Sequence, residues 1–131
     1  MVSWKNFDTL SSYEELMNVA PVNLVEAMTG ENGAERVKKY SVPMAAGLAF
    51  NYGAKSVDDN ILEVLAKVAK EAQLTEKYEA LYNGEVINTG EKRLVLHQLT
   101  RGQLGDDVVV DGVNKREFYL NELKKITEFV N

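Results

Sequence analysis

The residues best suited to chemistry stand close together between positions 83 and 102, in the stretch NGEVINTGEKRLVLHQLTRG. It holds the chain's only histidine, His97, with Arg93 and Arg101 on either side and the acids Glu85 and Glu91 upstream. A histidine exchanges protons near neutrality, and burial or hydrogen bonding readily moves that range. Flanked by Leu96 and Leu99 in an apolar helical pattern, however, His97 reads as a partly buried structural group and not as a proton carrier. Arg93 and Arg101 read as partners for Glu85 or Glu91 in place of substrate clamps, and a buried pair of that sort would fix the loop against a neighbouring domain.

Elsewhere the chemical options are fewer. Asp58 and Asp59 are adjacent carboxylates, but acids at a helix start serve the helix dipole. Residues 29–37, TGENGAERV, contain two glycines without the Gly-Lys-Ser or Gly-Lys-Thr ending of a phosphate loop, so they read as a turn between short helices. Cysteine is absent, which removes disulfides and thiolate chemistry and fits a reducing cytosol. No catalytic, cofactor-binding or metal-ligating residue is assigned.

The elements that must position these residues follow from spacing. Ser11, Ser12, Glu14 and Glu15 start a short helix with Tyr13, Leu16 and Met17 inward, docked by Trp4 and Phe7. Leu24, Val25 and Met28 form a second apolar stripe ending near Gly30. Residues 40–46 and 48–52 are short apolar runs around Gly47 and predict a β-hairpin, with Pro43 demanding an edge or a bulge because it cannot donate to a ladder. Val57, Ile61, Leu65, Val68 and Ala72, with Val64 beside them, predict a helix over 57–72, capped by Ser56 with Asp59 at the third helical position. Lys67 and Lys70 suit its far end.

A further helix over 75–82 carries Tyr78, Leu81 and Tyr82 on one face, closed by Gly84 in a left-handed conformation. Asn88, Thr89 and Gly90 give a tight turn, and Glu91 opens another helix whose buried side is Leu94, Val95, Leu96 and Leu99. The 83–102 stretch is thus expected as helix, polar loop, helix. Gly102, Gly105 and two aspartates form a loop, residues 108–110 a strand, and a long helix runs from about Asn114 with Phe118, Leu120, Leu123, Ile126, Phe129 and Val130 on its apolar side. It reaches Asn131 without a capping signal. The fold class is α+β, mainly helical with a small antiparallel β-hairpin, in a single domain over 1–131. The hairpin is marginal alone, so helices must cover it.

Asn83, Gly84, Glu85, Ile87, Asn88, Glu91, Arg93, Val95, Leu96, His97 and Arg101 follow the pattern NGE-x-IN-x-x-E-x-R-x-VLH-x-x-x-R, which resembles the glucose-6-phosphate isomerase family. Thr89 and Gly90 depart from the family's usual pair. Residues 51–55, Asn51, Tyr52, Gly53, Ala54 and Lys55, stand where the family has D-Y-S-K-N and keep the tyrosine alone. The VVVDG run at 108–112 is again similar. The resemblance covers roughly 40–131 and extends weakly to the N-terminus.

It implies the N-terminal region that would precede the α/β sugar-isomerase domains. The parent activity would be the glycolytic and gluconeogenic interconversion of glucose 6-phosphate and fructose 6-phosphate through an enediol, with no metal or organic cofactor. Family enzymes are several times as long, and their phosphate loops and catalytic Glu, His and Lys lie in later domains. The segment is therefore expected to be structural. Its implied partners are the sugar phosphate of the whole enzyme, the remaining isomerase domains and further copies of itself. The alternative is a complete, non-catalytic binding or assembly module with a partner docking on residues 83–93. A small self-contained isomerase would lack its base and phosphate loop.

A net charge of −5 with dispersed Lys and Arg argues against nucleic acid as a partner. The N-terminus, MVSWKNFDTL, has no apolar run of signal-peptide type, and no stretch has the apolar length to span a bilayer. A cytoplasmic, membrane-free protein is expected.

Overall fold

Helix α4, Asp59–Glu71, organises one of two units into which the chain divides. That unit is Asn6–Glu71, and the other is Met1–Lys5 with Ala72–Asn131. The computed structural model describes residues 2–101 and 105–130, so Gly102 and Asn131 lie outside the described residues.

Along α4 the residues Ile61, Val64 and Val68 are buried, the three-and-four spacing of one helical face. Leu65, expected on that face, is exposed, because it is turned about 100° from Val64 around the axis and the contact with its neighbour is narrow. The cap also differs from expectation. Asp58 Oδ1 accepts the Ile61 N–H at 2.8 Å, as befits the residue directly before the helix. Asp59 is left to accept from Lys39 Nζ at 2.5 Å and the Tyr40 hydroxyl at 3.1 Å.

Against α4 lies α1, Ser11–Met17, preceded by a 3-10 turn at Phe7–Thr9 whose Phe7 ring meets Tyr13 edge-on at 5.2 Å. Leu10 and Ser12 are buried here, whereas Met17 is exposed. The helices α2, Leu24–Thr29, and α3, Gly33–Lys39, pack on each other. Asn23 caps α2 through the Glu26 N–H at 3.3 Å, and Val25 faces outward.

Strands β1, Ser41–Pro43, and β2, Ala49–Asn51, form the expected hairpin, pairing Ser41 with Asn51, Val42 with Phe50 and Pro43 with Ala49. A 3-10 turn at Ala45–Gly47 makes its tip. Its base is tied to α3: Arg36 donates to the carbonyls of Gly53, Lys55 and Val57 at 2.8, 3.0 and 2.6 Å. Tyr52 lies between Tyr40 and Phe50, with ring centroids 5.5 and 5.8 Å away.

In the other unit α5, Leu74–Tyr82, follows Gln73, whose φ is +52°. The inward residue of α5 is Ala80, while Tyr78 and Tyr82 are exposed and lie over each other with centroids 6.5 Å apart. Trp4 sits under the Lys77 ammonium at 5.3 Å, on α5 and not on the first helix as expected. Strands β3, Val86–Asn88, and β4, Arg93–Leu94, pair antiparallel with an irregular register. The helix expected from Glu91 is therefore replaced by a hairpin and a 3-10 turn at His97–Arg101. Pairing of Arg93 and Leu94 with β3 takes the main-chain groups a helix would need. Strands β5, Val109–Val110, and β6, Val113–Asn114, make a third small ribbon, and α6, Lys115–Val130, packs on the 3-10 turn. Ala80, Leu99 and Val108 are the buried apolar residues of this unit.

Candidate functional site

The motif of residues 83–101 resolves into a clamp on the end of α5. Gly84 has φ +70°. Its N–H donates to Leu81 O at 3.2 Å and the Glu85 N–H to Ala80 O at 2.9 Å, the paired bonds of a Schellman motif. The Leu81 carbonyl also accepts Gln98 Nε2 at 2.6 Å. Thus the 3-10 turn reaches back and finishes the capping of α5.

Within the hairpin, Asn88 holds the turn: its Oδ1 accepts the Glu91 N–H at 3.2 Å and its Nδ2 donates to Glu91 Oε2 at 3.3 Å. Lys92 supplies the positive φ of +53° that the reversal requires. Arg93 does pair with Glu91, at 3.8 Å, but both side chains are exposed. The pair is a surface contact worth little in water, not the buried lock expected from the sequence. Glu85 and Arg101 are exposed, and Arg101 forms no ion pair among the described residues.

His97 opens the 3-10 turn and is exposed, in contrast to the partly buried group expected. Without a continuous helix there is no face for it to share with Leu99. Leu99 alone goes inward, with 0% exposure, and Gln98 turns to α5. Among the described residues the His97 ring has no hydrogen bond or ion pair, and Thr100 bonds only its main-chain carbonyl. Among the described residues the side chains of this segment serve to position backbone: Gln98 caps α5 and Asn88 holds the hairpin turn.

Three residues with no side-chain role expected from spacing hold element ends in place. Arg116, in the first turn of α6, is 3% exposed, donates from Nε to Asp106 O at 3.0 Å, and has no partner for either terminal nitrogen among the described residues. Asn114 Oδ1 caps that helix through the N–H groups of Arg116 and Glu117 at 3.1 and 3.4 Å. Glu71, at the end of α4, accepts from the N–H and hydroxyl of Ser11 at 2.8 and 3.0 Å and from those of Ser12 at 2.8 and 2.6 Å. The hydrogen bonds from Ser12, side chain first and then main chain, and those of Ser11 hold its carboxyl down to about 2. The open hollow of ≈ 560 Å³ beside it is lined also by Glu15, Lys67 and Lys70, of which Lys67 and Glu15 pair at 2.5 Å. A capping carboxylate is invisible to local pattern because it acts from 60 residues away.

Asp59 is likewise held below the usual carboxylate range, first by Lys39 and then by Tyr40. Asp58 is engaged as the cap of α4 and Asp59 in its contacts to Lys39 and Tyr40. Among the described residues no group of three or more His, Asp or Glu could hold a metal ion, and no helix is long and apolar enough to cross a membrane.

The sequence that builds these short helices and ribbons matches a known family over more than half of its length. The family description Phosphoglucose isomerase matches residues 51–131, and the chain belongs to that family. It is 53% identical over 98% of its length to the glucose-6-phosphate isomerase of Treponema denticola, and 40% identical over 98% to that of Borrelia garinii subsp. bavariensis. The enzyme of Shewanella denitrificans is 42% identical over 66% of the chain. The chain spans about a quarter of the length of the first two relatives, 25% and 24%.

Proposed function

We propose that these residues form the N-terminal portion, a single domain, of a cytoplasmic, homo-oligomeric glucose-6-phosphate isomerase. The parent chain would interconvert glucose 6-phosphate and fructose 6-phosphate in glycolysis and gluconeogenesis. The observation that carries this reading is the 53% identity over 98% of this chain, against 25% of a relative that bears the name. The segment's part is structural: its motif residues brace α5, and His97, Arg93 and Arg101 are not assembled around a reacting centre. Substrate contact and proton transfer belong to the remaining isomerase domains. A complete, non-catalytic module docking a partner on residues 83–93 is the competing reading.

The test is the size of the native protein, by immunoblot of source cells with an antibody raised against this chain. A band several times larger than 14.6 kDa is expected. A band at 14.6 kDa would overturn the segment reading and favour the module.

A further inference from the structure

The β1–β2 ribbon has two edges of unequal chemistry. Tyr52 N–H donates to Tyr40 O and Met44 N–H to Leu48 O, both at 2.8 Å. With the register Val42–Phe50 between them, bonded and non-bonded pairs alternate as antiparallel pairing requires. Ser41, Pro43, Ala49 and Asn51 therefore turn their main-chain groups away from the ribbon. On β1 the outward donor at position 43 does not exist, because proline has no N–H. On β2 Ala49 and Asn51 keep both N–H and C=O, and neither N–H donates to a main-chain group outside the ribbon among the described residues.

β2 itself carries no charge, proline or bulge at that edge, and its Asn51 side chain donates to Val37 O at 2.6 Å, leaving the main-chain groups of the strand uncovered by it. Residues 41–54 contain no charged side chain, although 27% of the chain is charged. Leu48 and Phe50 are more than half exposed. Free-standing proteins blunt exposed edges with lysine, proline or a bulge, and β1 is blunted in this way while β2 is not. A two-stranded ribbon is also marginal by itself. An uncharged, apolar, open edge is what a strand covered by another strand would have.

We propose that β2 receives a further β-strand through the main-chain groups of Ala49 and Asn51, supplied by the parent polypeptide outside this chain. The occupant follows from length: the relatives are about four times as long as the part this chain matches, so most of the polypeptide available to cover the edge lies there. Because β1 is closed by Pro43, addition stops at one side. This inference rests on the segment reading above.

The test replaces the matching quarter of the Treponema denticola enzyme with this chain and compares the chimera with the chain alone. Amide exchange at Ala49 and Asn51 should slow by about 100-fold or more in the chimera, as expected for amides gaining a ladder bond. Ala49→Pro should lower the melting temperature of the chimera and leave that of the chain alone unchanged, since position 49 makes no bond within the ribbon. Equal exchange at both amides in chimera and chain would overturn the proposal. So would protection already present in the chain alone as a dimer, which would assign the edge to a second copy. Isomerase activity of the chimera judges the segment reading separately: an active chimera with unprotected amides sinks the strand pairing and leaves that reading intact.

Discussion

Gly84 faces the side chain of Val108 so closely that a β-carbon on it would overlap Val108 Cγ1. Two independent reasons therefore hold glycine at this position, since its φ of +70° already disfavours any other residue. Gly84→Ala should lose about 1–2 kcal/mol from the left-handed backbone and about 1–3 kcal/mol from overpacking. Urea denaturation of Gly84→Ala, Val108→Ala and the double variant separates the two: the double variant should recover the packing part only. Full additivity would show that the two residues do not touch in solution.

The Glu71 carboxylate predicts acid sensitivity. Its folded value of about 2 lies below the ordinary 4.5, so its contribution is fully present above about 4.5 and is lost as pH falls from there toward about 2. Melting temperature against pH should therefore drop more steeply over this range in the native chain than in Glu71→Gln. Parallel curves would mean that Ser11 and Ser12 do not hold the carboxylate.

At the start of α4, Asp58→Ala should cost about 1 kcal/mol through loss of the cap, while Ser56→Ala should stay within about 0.5 kcal/mol of the native chain. Chemical denaturation of both variants reads this directly. The reverse order would restore the cap to Ser56.

In the motif, Leu99→Ala should cost about 2–5 kcal/mol because the side chain is fully buried, whereas His97→Ala should change stability by less than about 0.5 kcal/mol. Thermal melts of the two variants provide the comparison. A large loss for His97→Ala would place its ring in the core.

Arg116 is a buried cation whose two terminal nitrogens have no hydrogen-bond partner among the described residues. Replacing such a group with an apolar residue of similar length is neutral or stabilising, by about 1–4 kcal/mol in comparable cases. Arg116→Met should follow that pattern in urea denaturation, and a clear loss would show that water or another group satisfies the guanidinium.

Local signals were the legible ones. The α4 periodicity, the hairpin around Gly47, the left-handed Gly84 and the helix from Asn114 all depend on neighbours within a few residues. The family pattern at 83–101 was equally plain because charged, glycine and histidine positions recur at fixed spacing. What spacing missed was set by distant partners. Leu94, Val95 and Leu96 look helical in sequence, but pairing of β4 with β3 overrides that preference. Met17, Leu65 and Tyr78 stay exposed despite their apolar spacing. Gln98, partly buried, and Arg116, buried, turn inward instead, each toward a carbonyl supplied by another segment.

The grip of Glu71 on Ser11 and Ser12 also sets an order of events during synthesis. The two ends of that contact lie 60 and 59 residues apart, and the N-terminus of α1 has no cap from the side chain of Leu10. At about 5–20 residues per second, roughly 3–12 s separate the making of α1 from the making of its cap. During that interval the nascent α1 is without its anchor, and the first unit can close only after the last residue of α4 has been added.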